Sequence, residues 1–333
     1  MKTGYRSVIT MGCPAGIGPE IILKAGASNK ITYSETVVFG DASVMEYYRK
    51  KYSLKIKFNY LECPDSDALA ADSLNIYDFK NCPIEKIEIG RINKTAGKAS
   101  IDYIAAAVDF ALKKKFDALI TCPINKDSIN RAGCNFPGHT ELLGYLTDTK
   151  NFGMMLAGKY LKVLLVTTHT ALKNVASEIS AKKIFDMLKL ADASLKKDFA
   201  VRKPRIAVLA LNPHNGENGL FGNEESRIIM PAVKKAVRWG INASGPFAAD
   251  SLFPKVEKNY DCVICMYHDQ GLIPLKLISF GGGVNITLGL PIVRTSVDHG
   301  TAYDIAGQNK AHYGSLVEAL QTAKIIARAR RRS

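Results

Sequence analysis

Three of the six histidines in this 333-residue chain share one context. His169 follows VLLVTT, His214 follows IAVLALNP and His268 follows CVICMY, so each comes just past an apolar, strand-like run. In open α/β sheets, ligands bind beyond the carboxyl ends of the strands, where the loops gather. Three neutral imidazoles converging there would form a metal site with open positions for a substrate. The gaps of 45 and 54 residues between them each accommodate a crossover helix and a returning strand. One histidine after a strand is usually a hydrogen-bonded loop residue; the repetition is what points to ligation. Imidazole suits zinc, cobalt, nickel or iron, and spacing does not choose among them.

Other polar residues sit in similar places. In MYHDQGLIPLK, His268, Asp269 and Gln270 arrive together, and burying such groups without partners is costly. FPGHTELL sets His139 and Thr140 before a short helix, where a phosphate or hydroxyl could bind, although Thr140 as a plain helix cap explains the same pattern. LNPHNGENGLFGNEE gathers three glycines and four asparagines around His214, more than a simple turn requires. Lys276, Asn285 and Arg294 follow at nine-residue intervals, and the two cations together would hold a phosphate or carboxylate. Asp250, in GPFAADSLF, is either a helix cap or a catalytic carboxylate. The loop GCPAGIG has glycines at 12, 16 and 18, which is not GxGxxG, so a Rossmann dinucleotide site is not supported.

The elements that must position these residues alternate along the chain. SVITM, TVVFG, ALITC, VLLVTT, IAVLAL and CVICMY read as strands. Between them lie helical patterns, one opened by Pro19 and Glu20 and one with an apolar face from Ile101 to Leu112. Ser180 suits a helix cap, and Glu224 and Glu225 open a helix that closes near Gly240. This alternation predicts an α/β fold with mainly parallel strands. The length exceeds what one hydrophobic core comfortably serves, so two lobes are expected. With PINKDSINRAG as the crossing, one lobe takes residues 1–127 plus about 300–333 and the other takes 128–299.

Composition narrows the class. A hydrophobic content of 47% and near-zero mean hydropathy describe a soluble globular protein, expected in the cytoplasm, with no apolar run suited to a membrane. Seven irregularly spaced cysteines do not make a disulfide framework, and Cys262 and Cys265 read as core residues. A net charge of +14 favours a small anionic substrate; no nucleic-acid signature accompanies it. The tail ARARRR reads as a solvated terminus.

Taken together, TMGCPAGIGPEI, CPINK, GHTELL, TTHT, LNPHNGENGLFGNEE, GPFAADSLF, MYHDQGLIPLK and GVNITLGLPIVRTSVDHGTAYDIAG resemble the 4-hydroxythreonine-4-phosphate dehydrogenase (PdxA) family. The likeness runs from about Ser7 to Ala306. It implies a two-lobed fold similar to isocitrate and isopropylmalate dehydrogenases, with the active site in the interlobe cleft and shared across a homodimer. It also implies NAD-dependent (or NADP-dependent) oxidation of 4-phosphooxy-L-threonine at its C3 hydroxyl, then decarboxylation to 3-amino-2-oxopropyl phosphate. By motif match, His169, His214 and His268 correspond to ligands of a divalent ion (zinc, magnesium or cobalt). His139, Thr140, Lys276, Asn285 and Arg294 correspond to substrate contacts, and Asp250 or Asp269 would take the proton or orient an imidazole. Where the family usually has aspartate, this chain has Cys13, which cannot pair with a substrate ammonium. Phosphorylated sugar acids, D-threonate or D-erythronate 4-phosphate, are therefore alternative substrates, with a packing role for Cys13 as the plainer reading. A metal-dependent phosphohydrolase is the rival from another class.

Overall fold

The computed structural model describes residues 4–66, 69–279 and 283–332. The chain divides into two compact units, Met1–Thr149 with Leu290–Ala327 and Lys150–Gly289 with Arg328–Ser333. The sequence placed the first crossing at 127/128 and the second near 300; the structure has them at 149/150 and 289/290.

The first segment supplies β1 (Ser7–Thr10), β2 (Thr36–Gly40), β3 (Phe58–Leu61), β4 (Leu74–Asp78) and β5 (Ala118–Thr121). Its helices are α1 (Gly18–Ala27), α2 (Ala42–Lys51), α3 (Lys94–Leu112), α4 (Lys126–Arg131) and α5 (His139–Leu146). Helix α3 starts where the Asn93 side chain accepts the Ala96 amide at 3.0 Å, and α4 starts in the same way from Asn125 to Ser128 at 2.8 Å. A Cβ on Gly97 would stand 2.0 Å from the Ser128 carbonyl, so α4 lies directly against α3. That close approach keeps the stretch after residue 127 with the first unit.

The second unit contains β6 (Gly153–Ala157), β7 (Lys162–Leu165), α6 (Val175–Glu178), α7 (Ala181–Phe199), β8 (Ile206–Leu209) and α8 (Met230–Arg238). It continues through β9 (Ala243–Phe247), α9 (Ala249–Leu252), α10 (Val256–Asn259), β10 (Cys262–Cys265), α11 (His268–Ser279) and β11 (Val284–Leu288). Its strand order is β11-β6-β7-β10-β8-β9. β7, β10, β8 and β9 run parallel, whereas β6 is antiparallel to both β11 and β7. Ser180 caps α7 as expected, accepting the Lys183 amide at 3.2 Å. The residues of β8 and β10 are buried throughout, as befits strands covered on both faces.

The chain then returns with β12 (Arg294–Val297) and α12 (Gly314–Arg332). The first unit's sheet, β3-β4-β2-β1-β5-β12, is parallel throughout. The basic tail differs from the expected solvated terminus. It forms the end of α12, where Arg330 Nε donates to Asp198 Oδ1 at 2.6 Å. Asp198 is buried on α7, and a buried carboxylate requires such a partner. No helix among the described residues is long and apolar enough to cross a membrane.

Candidate active site

Strand register brings two of the three histidines together. β10 pairs with β7 in parallel, Cys265 opposite Leu165, and the pairing continues past the strand ends. Val166 N donates to Cys265 O at 2.9 Å and Thr167 N to Met266 O at 3.1 Å. The two chains therefore leave the sheet side by side, and the rings of His169 and His268 have centroids 6.1 Å apart. His268 opens α11, and its Nδ1 lies 2.7 Å from Asp269 Oδ1. The carboxylate can only accept, so Nδ1 is the donor, and in the neutral ring Nε2 is then the nitrogen that can ligate. Gln270 points inward instead. It accepts the Met266 amide at 2.7 Å and donates to Ala210 O at 2.7 Å, bracing the ends of β10 and β8.

His214 lies on the loop after β8, in an unusual conformation. His214, Asn215, Gly216, Glu217 and Asn218 all have positive φ, between 42° and 77°. Left-handed backbone costs about 1–2 kcal/mol for each residue bearing a Cβ, and asparagine tolerates it best. Such a run persists only where its surroundings hold it. Just ahead of the run, the buried Glu225 accepts the amides of Leu211 and Asn212 on Oε1 at 2.9 and 2.8 Å. His214 borders a cavity of about 320 Å³ at the carboxyl ends of the strands, with Asn212, Asp250, Tyr267 and Gln270 around it. Asp250 is exposed on the first turn of α9 and accepts the Ser251 amide at 2.9 Å.

The metal expectation can be tested on this geometry. With metal–nitrogen bonds of about 2.0–2.1 Å, ring centroids 6.1 Å apart are near enough for His169 and His268 to reach one ion. His214 is not gathered with them: among the described residues, no three His, Cys, Asp or Glu side chains form a metal-holding group.

In the first unit, His139 begins α5, half-buried, with its Nε2 enclosed and lacking a hydrogen-bond partner. Burial, reinforced by the nearby Arg294 charge, holds its pKa well below the usual imidazole range, so the ring is neutral. Arg294 opens β12, is 1% exposed and donates from NH2 to Thr121 Oγ1 at 2.7 Å. Burial pulls its pKa down to about 9, with Glu141 the carboxylate acting in the opposite direction. A desolvated guanidinium beside a neutral imidazole is a strong attractor for an anion. Thr140 follows His139 on α5, half-buried.

Lys276 is exposed on α11, and Asn285 is half-buried on β11 with its Oδ1 enclosed and lacking a hydrogen-bond partner. Cys13 lies in the first unit, fully buried, 3.2 Å from the Tyr303 hydroxyl. The backbone amides of Ala15, Gly16 and Asn125 also point at its sulfur, yet burial dominates and pushes the thiol pKa up. Cys262 and Cys265 are buried, free and likewise raised by burial, as expected of core residues.

The model of the family described as "Pyridoxal phosphate biosynthetic protein PdxA" matches residues 32–323. A 4-hydroxythreonine-4-phosphate dehydrogenase of Desulforapulum autotrophicum is 44% identical, over 96% of this chain and 94% of that protein. A D-threonate 4-phosphate dehydrogenase of Salmonella typhimurium is 41% identical, over 96% and 98%. The crystal structure of 4-hydroxythreonine-4-phosphate dehydrogenase from Klebsiella pneumoniae superposes with a TM-score of 0.89 at 38% identity, covering 97% and 100%. The chain belongs to the PdxA family. It is a dehydrogenase of that type, an oxidoreductase with the family's α/β fold, and the phosphohydrolase reading is set aside.

Glu225 has a role in the second unit that sequence reasoning missed, and Gln270, singled out with His268 and Asp269, turns out to brace strand ends instead. The helix expected to open at Glu224–Glu225 does open there, with a π-turn over Glu225–Ile229 before α8; what the sequence did not give is that Glu225 reaches back to the Leu211 and Asn212 amides. The only available signal was an acidic pair abutting a stretch dense in glycine and asparagine.

Proposed function

We propose that this PdxA-type dehydrogenase oxidises 4-phosphooxy-L-threonine at the C3 hydroxyl with NAD, assisted by a divalent ion, and that the product loses carbon dioxide to give 3-amino-2-oxopropyl phosphate. NADP is the other candidate oxidant, and zinc, magnesium or cobalt the candidate ions. The observation that carries the reading is the His169–His268 pair with Asp269 on Nδ1, at the carboxyl ends of parallel strands.

His169 and His268 would hold the ion, with His214 of a second copy as the third ligand. When bound, the ion makes the substrate alcohol more acidic and stabilises negative charge on its oxygen. The nicotinamide supplies the hydride acceptor. The chain's own residues do the rest. Asp269 fixes the tautomer of His268 and keeps Nε2 directed outward. Arg294 and Lys276 draw in the phosphate and carboxylate, while neutral His139, Thr140 and Asn285 contribute hydrogen bonds that orient them. Asp250, exposed at the cavity, takes the alcohol proton.

A homodimer is supported by where the exposed apolar side chains lie. Leu172 follows His169, Leu220 and Phe221 share the His214 loop, and Ile273 and Leu277 stand on α11 with His268. Such side chains normally seek cover. A second reading, oxidation of D-threonate or D-erythronate 4-phosphate, rests on the 41% identical relative. The full burial of Cys13 favours the packing reading of that residue. The deciding experiment compares reduced-nicotinamide absorbance with the three phosphorylated acids, with NAD and NADP, before and after chelation and metal restoration. The expected leader is 4-phosphooxy-L-threonine with NAD, silent without metal. Faster turnover of a sugar acid would transfer the assignment to the second reading.

A further inference from the structure

We infer that Glu225 is the positioning residue of the His214 loop, a carboxylate that clamps the left-handed turn and so aims the imidazole. This builds on the reading of His214 as a ligand. The observations belong to one small network within the second unit. Glu225 is buried and receives the Leu211 and Asn212 amides on Oε1, at 2.9 and 2.8 Å. Its Oε2 receives Asn212 Nδ2 at 3.1 Å, and the same amide nitrogen donates to Glu224 Oε2 at 2.8 Å. The loop is thus anchored two residues ahead of His214 by charged acceptors, the stronger kind of hydrogen bond.

Glycines make room for the clamp. A Cβ on Gly216 would lie 2.7 Å from Glu225 Oε2, and one on Gly222 would lie 2.5 Å from Glu224 Oε2. The two glycines also adopt φ of 77° and 129°, which side chains resist. The π-turn at Glu225–Ile229 turns the carboxylate inward at the start of the helix, and such turns recur at functional sites. An ordinary cap would have satisfied a helix end; this carboxylate instead satisfies the strand-to-loop junction that carries His214. A strained run of five left-handed residues, held from one buried acid, is what an aimed ligand needs and a solvent loop does not.

The test is a Co²⁺ titration of the metal-depleted protein, read by the visible absorption of the bound ion, with circular dichroism as the check on folding. Glu225→Gln keeps one accepting oxygen and places a donor against Asn212 Nδ2; its Co²⁺ affinity should fall about 10-fold, and that of Glu225→Ala about 100-fold. Gly216→Ala retains the acid but pushes its Oε2 aside, and should weaken Co²⁺ binding without removing any charge. Lower melting temperatures with parental Co²⁺ affinity in the folded variants would make the carboxylate merely structural and end the proposal. His214→Ala separates the two levels. If it loses Co²⁺ while Glu225→Ala and Gly216→Ala do not, only the clamp is wrong. If His214→Ala itself binds Co²⁺ as the parent does, the ligand reading fails and takes the clamp with it.

Discussion

Two glycine-rich loops follow parallel strands in this molecule, and they use glycine for opposite ends. The loop after β1, residues 12–18, is buried throughout, and its glycines are demanded by close approach. A Cβ on Gly18 would sit 2.0 Å from the Met11 carbonyl, and one on Gly12 2.4 Å from that of Pro123. The loop after β8, residues 211–222, is mostly exposed, and its three glycines all take a left-handed path, two of them leaving room for carboxylate side chains rather than for backbone. Gly219, with φ of 100°, has nothing within 4 Å of where a Cβ would stand. Similar composition therefore encodes packing in one place and presentation of a side chain in the other.

The largest effect that could break this contrast is on folding. Gly18→Ala should cost more than about 3 kcal/mol and leave little folded protein, because backbone, not a mobile side chain, blocks the new methyl. Gly219→Ala should cost only about 1–2 kcal/mol, from its φ alone. Urea unfolding measures both, and equal losses would erase the distinction.

Next comes chemistry. His214→Ala and His268→Ala should each fold and lose turnover by more than about 100-fold. If the two residues serve one site from different copies, mixing the inactive variants after mild dissociation should restore a readily measured fraction of activity. Failure to recover any, with hybrid dimers demonstrated, would place both residues within a single copy's site or outside the site.

A smaller effect concerns pH. His139 has its folded pKa depressed by burial and by the Arg294 charge, so the unfolded chain takes up a proton that the folded chain refuses. Its contribution is present above the ordinary imidazole pKa, near 6.5, and is lost as the pH falls below it. Between pH 7.5 and 5.5 the parent should lose about 1 kcal/mol more than His139→Gln. Equal losses would mean that His139 is protonated in the folded protein.

The smallest expected change is at Cys13. A carboxylate there would find the Tyr303 hydroxyl and the amides of Ala15, Gly16 and Asn125 already arranged as donors. Cys13→Asp should therefore remain within about 1 kcal/mol of the parent in stability and keep the same order of substrates. A reversed order would show that the packing loop also reads the ligand.

Legibility from sequence followed the same division. Strands made of contiguous apolar residues, such as Cys262–Cys265, were readable because both faces are buried. β9, sequence ASGPF, was not, since a proline and a glycine obscure a strand that is tolerated only at the sheet's edge. The first crossing between units was misplaced because PINKDSINRAG looks like a linker, while Gly97 lets α4 bind tightly to α3. His169 and His268 were singled out by position after strands, but nothing local said that register would set them together.

The chain alone determined the family, the alternation of strands and helices, and which side chains come at strand ends, because these depend on residue type and local periodicity. Tertiary structure decided which of those side chains meet. Parallel pairing of β7 with β10 made neighbours of two histidines a hundred residues apart along the chain (99 by number), and a buried acid thirteen residues beyond Asn212 gave the third its left-handed seat. Those outcomes depend on register, burial and steric room, quantities that exist only once distant segments are packed against each other.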